Sequence, residues 1–418
     1  MMGEIENRTI VVGAGIVGLC CAYHLFRSGF NVTIVDRAIS GDRASNGNAG
    51  AVAVAEILPL PKPGIIRQLP GFLFSPLGPL SIRLRYLPLL WPYLRHFMVA
   101  ANMQSFNAGA AAMASLLAPA MDDHEEMLES IGAPTLLRRG GGLFVYKSEK
   151  ARRSREAEWS LRRELGINAE PIGRSGIEAI EPALGPAASC GYFTDDWAYY
   201  GDPKVLCEKL LNYLRGVGVK TIDEKVYGFE LTNESYPSRV ITENGQLIFD
   251  HLVIAAGAWS HKLTKLLGDS FPLETERGYN TTLSKPGVEI KYMTTFAEDH
   301  FVMTPMDMGL RIGGAVEFAG LNASPNYARS KALVKLAQNY LPNLRTEDGI
   351  EWMGHRPSTP DSLPVIDRSP NHRNIYYAFG HGHLGLTGSA TTGRIIANLA
   401  RNCLLGIDLT PFRINRFN

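Results

Sequence analysis

Gly13, Gly15 and Gly18 follow directly on the β-branched run Ile10 to Val12, and an acid, Asp36, closes the next apolar run, Val32 to Val35. These are residue types that bind phosphate and ribose. The first glycine permits a tight turn, the second lets backbone approach a pyrophosphate, and the third lets the helix beginning near Ile16 pack closely on the strand. The phosphates are then expected at the helix N-terminus, where unpaired N–H groups favour an anion. Asp36 lies at the spacing of an acid that accepts both hydroxyls of a ribose. Its charge opposes the extra 2′-phosphate of NADP, which leaves FAD or NAD as the adenine dinucleotide. A lone GxGxxG is weak evidence, but here strand, glycines, a helix ending at Ser28-Gly29, second strand and acid stand in order.

The loop Arg37 to Gly50, RAISGDRASNGNAG, is dense in small polar residues. Its backbone amides and Ser45 could continue the cradle toward a reactive ring, although the same composition suits an ordinary surface loop. Near the other end of the chain, GHGHLGLTGSATTGR supplies a second glycine-rich turn before a closing helix. His381 and His383 in that turn lack ligand-spaced partners, so no metal site is expected.

The elements that must position these groups belong to an α/β protein with an ample core. The 418 residues carry a net charge of +1, so nothing points to nucleic-acid binding through a basic surface. Cys20, Cys21, Cys190, Cys207 and Cys403 form no CxxC pair and read as reduced thiols of a cytoplasmic protein. No secretory signal precedes the first strand, and no apolar run is long enough to span a membrane.

From Ile57 to Phe97 eight prolines interrupt a run of leucines, aromatics and arginines, and short turns and extended pieces are expected. This segment is either a domain-connecting core or a surface that meets a membrane or partner. Ala108 to Ile131 reads as one helix, Leu143 to Tyr146 as a strand and Glu149 to Leu165 as a solvated helix. Tyr192, Phe193, Trp197, Tyr199 and Tyr200 either pack a seam or line a ligand pocket. Leu252 to Ala256 returns to the nucleotide-binding sheet, and the pieces between Glu274 and Asn343 suggest an antiparallel sheet.

With these segments in view, the chain resembles the D-amino acid oxidase superfamily of FAD-dependent oxidoreductases, most closely its bacterial D-amino acid dehydrogenase branch. The resemblance rests on VVGAGIVGLCCAYHL with Asp36, SNGNAG, GGLFVY, VIAAGAWS, HRPSTPDSLPVI and GHGHLGLTGSATTGR, and spans nearly the whole chain. It implies a Rossmann-like FAD-binding domain assembled from discontinuous segments (1–58, 175–272 and 352–418). An antiparallel-sheet substrate domain (59–174 and 273–351) would roof it.

The resemblance also assigns residues. Gly13, Gly15 and Gly18 would hold the pyrophosphate and Asp36 the adenosine ribose, with Arg37, Ser45, Asn46, Ala49 and Gly50 nearby. Val226, Gly257 and Ala258 would approach the cofactor by backbone, and His383, Leu384, Gly385 and Thr387 would reach the flavin's pyrimidine side. Arg356, in Gly354-His355-Arg356-Pro357, matches the arginine that grips the substrate carboxylate. Tyr192, Trp197, Tyr279 and His383 are candidate pocket walls, with Arg277 and Arg311 as the next candidates for the anchor. Covalent-flavin members carry a histidine where Gly47 stands here, so noncovalent FAD is expected.

The implied reaction is oxidative deamination of a D-amino acid, by hydride transfer to flavin N5, to a 2-oxo acid and ammonia. Oxidation of a secondary amine such as D-hydroxyproline, an opine or sarcosine is the alternative, and a non-catalytic flavoprotein subunit is a third reading. The expected partner is the amino acid itself, with no nucleic acid. The Ile57 to Phe97 segment leaves open a contact with quinone, a partner subunit or the inner face of the cytoplasmic membrane.

Overall fold

The computed structural model describes residues 7–65, 80–233 and 236–417. A six-stranded sheet runs in the order Lys220–Asp223, Asn31–Asp36, Arg8–Val12, His251–Ile254, Ile375–Phe379, Val365–Arg368. All neighbours are parallel except the last pair. Its central strand is buried on both faces, as its unbroken β-branched run implies. Val11 packs with the helices Ile16–Arg27, Pro203–Gly216 and Ser389–Ala400, whereas Ile10 and Val12 face Val240, Leu263 and Phe379 on the other side. Two glycines allow close packing of the helices here. A Cβ on Gly18 would stand 2.0 Å from the carbonyl oxygen of Gly13, and one on Gly393 would stand 2.5 Å from that of Cys20.

A nine-stranded, mostly antiparallel sheet forms the second layer. Its long strands, Gly349–Ser358, Glu274–Leu283 and Gly309–Phe318, lie side by side at one end. One face packs on Leu333, Tyr340 and Leu341 in a separate core, and the opposite face looks toward the carboxyl ends of the parallel strands. Sheet membership differs from the expected segments in two places. Cys190–Thr194 pairs with Gly142–Tyr146 in the antiparallel sheet, and Gly349–Ser358 continues that sheet past residue 352.

Three expected elements also differ. The single helix from Ala108 to Ile131 is two, Met103–Leu117 and Ala120–Ser130, because Pro119 cannot donate to the helix ladder. The charged helix is Glu149–Arg153 followed by Glu156–Glu164. Within Ile57 to Phe97, residues 66–79 lie outside the described residues, but Leu87–Ala100 is a helix of 14 residues despite Pro88 and Pro92. Pro88 falls in the first turn, where a missing N–H costs nothing. Cys20, Cys21, Cys190 and Cys207 are buried, Cys403 is exposed, and all five are free thiols.

Candidate functional site

The first turn has the conformation its sequence requires. Gly13 has φ +117°, and a Cβ there would lie 2.3 Å from the carbonyl oxygen of Ala255, so only glycine fits between the two strand ends. Beside it, Asp36 accepts from the backbone N–H of Ala14 at 2.7 Å and of Ala38 at 2.9 Å, with Arg43 at 3.9 Å. Ser45 Oγ accepts from the N–H of Ile16 at 2.9 Å, which places the loop directly on the helix N-terminus. Val226 begins the strand after Lys220–Asp223 and Gly257 follows His251–Ile254, so both lie at the carboxyl edge of the same sheet. That edge is where open α/β sheets bind ligands. Arg37 stacks over Trp259 at 3.9 Å from the ring centroid.

Three side chains of the antiparallel sheet clamp the loop after Asp36. Asn280 Nδ2 donates to the carbonyl of Gly47 at 2.7 Å, Arg311 Nη1 to that of Asn48 at 2.6 Å, and the Trp352 indole to Asp42 at 2.9 Å. Asn46 makes backbone contact with Arg43, and Asn48 closes a turn by accepting from the N–H of Gly50 at 2.7 Å. Gly47 lies under Trp352, where a Cβ would meet the indole at 2.3 Å.

The second glycine-rich turn is anchored from the opposite side. His124 Nε2 donates to the carbonyl of Leu386 at 2.9 Å, and its Nδ1 accepts from Tyr200 Oη at 2.8 Å. Burial lowers the His124 pKa, which keeps the ring in the neutral form that this donor and acceptor pairing needs. Thr387 Oγ1 accepts from Ala53 N–H at 3.1 Å. His381 is pushed down to about 3 by burial and bonds Thr392 at 2.9 Å, so it is a neutral structural group rather than an acid. His383 projects into open cavity space within the protein, and burial lowers its pKa as well.

Between these elements lies a cavity of about 970 Å³. It extends from Ile16 past Ser45 and Ala49 to His383, Leu384, Gly385 and Thr387, and then beneath Arg356. A glycine turn closed to any side chain, a carboxylate at the second strand's end, and a cavity joining the helix N-terminus to the second turn fit a dinucleotide with a ring system at its far end.

The roof over the far end is built by strand register. Glu276 faces Arg356, Gly278 faces Gly354, and Asn280 faces Trp352 across the antiparallel pair, so all six positions share one face. The two glycines make room for the two large side chains. A Cβ on Gly278 would stand 2.5 Å from the Arg356 guanidinium carbon, and one on Gly354 would stand 2.0 Å from the Trp352 ring. Arg356 therefore lies flat on its own sheet. Desolvation lowers its pKa, partly countered by Glu276, and among the described residues it has no hydrogen bond or ion pair.

Not every expected pocket wall is brought here. Trp197 and His383 line the cavity, but Tyr192 and Tyr279 do not. Tyr192 stacks on Trp159 and donates to Glu156, and Tyr279 lies on the opposite face of the roof, donating to Glu317. Arg277 also points away, buried against Glu317 at 2.9 Å, whereas Arg311 lines the cavity. Glu276, Asn280, Trp352 and the apolar wall of Tyr93, Phe97 and Phe318 were not singled out from sequence. Glu276 lies in a strand rich in polar residues, ETERGYNTTL, so its neighbours gave no local signal for it.

Comparison with known proteins gives a consistent picture. Residues 8–399 match a family model described as DAO, FAD dependent oxidoreductase. A D-amino-acid oxidase of Bradyrhizobium diazoefficiens is 35% identical over 420 residues, covering 99% of each chain. A D-amino acid dehydrogenase of Helicobacter pylori is 26% identical, covering 95% of this chain and 96% of its own. Among solved structures, an L-proline dehydrogenase from P. horikoshii superposes with a TM-score of 0.76 at 18% identity, covering 98% of this chain and 97% of that one, a likeness of fold.

Proposed function

The chain belongs to the DAO family of FAD-dependent oxidoreductases, and from that premise we propose that it oxidises a D-amino acid to the 2-oxo acid and ammonia. The observation that carries this reading is Arg356, a cation with no hydrogen bond or ion pair among the described residues, lying flat on the cavity roof. Such a fork is built to take a carboxylate by two parallel hydrogen bonds. The full-length likeness to a D-amino-acid oxidase supports the D configuration.

FAD, when bound, supplies the two-electron acceptor for the hydrogen on the substrate's α-carbon. Gly13, Gly15, Asp36 and Ser45 would hold its nucleotide half, and the turn His383 to Thr387 would meet the ring. Arg356 fixes the substrate from above, so that the α-carbon is presented in one orientation. Tyr93, Phe97 and Phe318 line the cavity with an apolar wall beside the roof. FAD is held noncovalently in this reading, because the Trp352 indole fills the space a side chain at position 47 would need.

The segment Leu87–Ala100 contributes Tyr93 and Phe97 to the cavity, while Leu84, Leu89, Trp91 and Val99 in and beside it are more than half exposed. With Arg85 and Arg95 interspersed, this outer surface suits peripheral contact with an anionic membrane through which electrons leave for a quinone. No helix among the described residues is long and apolar enough to cross a membrane. Flotation with anionic liposomes should carry the protein upward, and protein remaining at the bottom removes this part of the reading.

The deciding experiment is anaerobic bleaching of the flavin by a panel of D-amino acids, L-amino acids and secondary-amine amino acids. Bleaching by primary D-amino acids is the expected result. Bleaching only by secondary amines, or by nothing in the panel, refutes the proposal.

A further inference from the structure

Glu276 is a second charge on the cavity roof that has no hydrogen bond or ion pair among the described residues. Its residue is 5% exposed, it lines the cavity, and it stands directly opposite Arg356 in strand register. The other acids of this sheet end are satisfied. Glu274 accepts from Tyr86 at 2.8 Å, and Glu317 is held by Arg83, Arg277 and Tyr279 at 2.8, 2.9 and 2.5 Å. Elsewhere on the wall, Glu158 pairs with Lys62 at 2.8 Å and Glu56 stands 3.7 Å from Arg162. Glu276 has no hydrogen bond or ion pair among the described residues, and Arg356 stands beyond ion-pair distance although it is the charge that acts on it.

A buried carboxylate left without a partner costs free energy, so its retention points to a ligand that completes it. An amino acid is a short dipole whose cationic nitrogen and carboxylate share one carbon. A carboxylate and a guanidinium on adjacent strands match that dipole.

Resting on the amino acid reading above, we infer that Glu276 receives the cationic amino nitrogen of the substrate while Arg356 holds its carboxylate. Glu276 is thus a specificity-determining residue. It makes the site select amino acids over carboxylic acids that lack the nitrogen, because an unaccompanied carboxylate would face Glu276 as a like charge. Arg356 alone would bind both ligands.

The test uses the FAD-loaded protein and two ligands. One is the D-amino acid that bleaches the wild type fastest. The other is the carboxylic acid of the same carbon skeleton with hydrogen in place of the amine. Kd for the first comes from the concentration dependence of bleaching, and Kd for the second from perturbation of the oxidised flavin spectrum. Glu276→Gln should weaken the amino acid roughly 10-fold to 100-fold, the scale of one lost charged hydrogen bond. It should leave the des-amino acid unchanged or bound more tightly. If both ligands weaken together, Glu276 only positions Arg356, and if neither changes it has no part in binding; either result overturns the inference. Should Glu276→Gln fail to fold, Glu276→Asp draws the carboxylate back by one methylene and should weaken the amino acid while sparing the des-amino acid; both ligands binding as to the wild type, or weakening together, is equally fatal. A wild type that no amino acid bleaches instead defeats the underlying functional reading.

Discussion

Replacing Arg356 by alanine should cripple turnover without harming the fold. The guanidinium has no hydrogen bond or ion pair among the described residues, so no native pair is lost with it. What the proposed anchor would lose is its pair with the substrate carboxylate: two charge-assisted hydrogen bonds at roughly 1.5–3 kcal/mol each. Together they amount to about 3–6 kcal/mol, or roughly 10²-fold to 10⁴-fold in kcat/KM. Removing a desolvated cation should leave Tm unchanged or slightly higher, since active sites commonly hold such groups at a cost to stability. FAD content should be unchanged, because the residue lies on the roof and the nucleotide contacts lie at the sheet edge. The assay compares an amino acid with the amine formed by removing its carboxylate. The wild type should prefer the acid strongly, and Arg356→Ala should lose most of that preference. Arg356→Lys should recover only part, because an ammonium cannot reproduce the planar fork. If the alanine variant keeps the preference, the carboxylate is held elsewhere. Arg311 would then be the cavity-facing candidate, although it is already bonded to Thr282 and Asn48.

Gly278→Ala should act on Arg356 at second hand: the new Cβ would stand 2.5 Å from the guanidinium carbon, so KM for the acid should rise while FAD content stays normal, and an unchanged KM would show that Arg356 does not need that surface. Gly47→Ala should push Trp352 off the loop after Asp36, lowering stability by roughly the 1–3 kcal/mol of an overpacked site and weakening FAD retention; equilibrium dialysis that finds wild-type affinity would count against this. The histidines supply the pH dependence. His381 is lowered from 6.5 to about 3 by burial, so the unfolded chain takes up its proton first as pH falls. Its contribution is fully present above pH 6.5 and is lost on descending toward 3, by up to about 1.4 kcal/mol per pH unit. Buried Glu181, Glu274 and Glu276, raised by desolvation, act in the opposite sense, so the clean measure is a difference. Tm of His381→Asn minus that of the wild type should become more positive from pH 7.5 to 5 (~2.5 pH units across this range), and a constant difference would refute the assignment.

The glycine turn and its strand, helix, strand frame were legible from sequence because their backbone demands are local. Gly13, Gly15, Gly18 and Asp36 stand within one such unit, and Gly13, at φ +117°, takes a backbone conformation that favours glycine. The loop from Arg37 to Gly50 could be placed near the helix N-terminus for the same reason. What holds it there could not be read, because Asn280, Arg311 and Trp352 reach it from strands more than two hundred residues away. The site's direction was equally hidden. Glu274–Leu283 is buried on both faces, so its sequence shows none of the alternation that would tell an inward residue from an outward one. Only the packing of the sheet against the parallel layer put Glu276, Gly278 and Asn280 over the cavity and turned Arg277 and Tyr279 into a separate buried cluster. A strand fixes that its side chains alternate, whereas the tertiary contact decides which of the two sets meets the substrate.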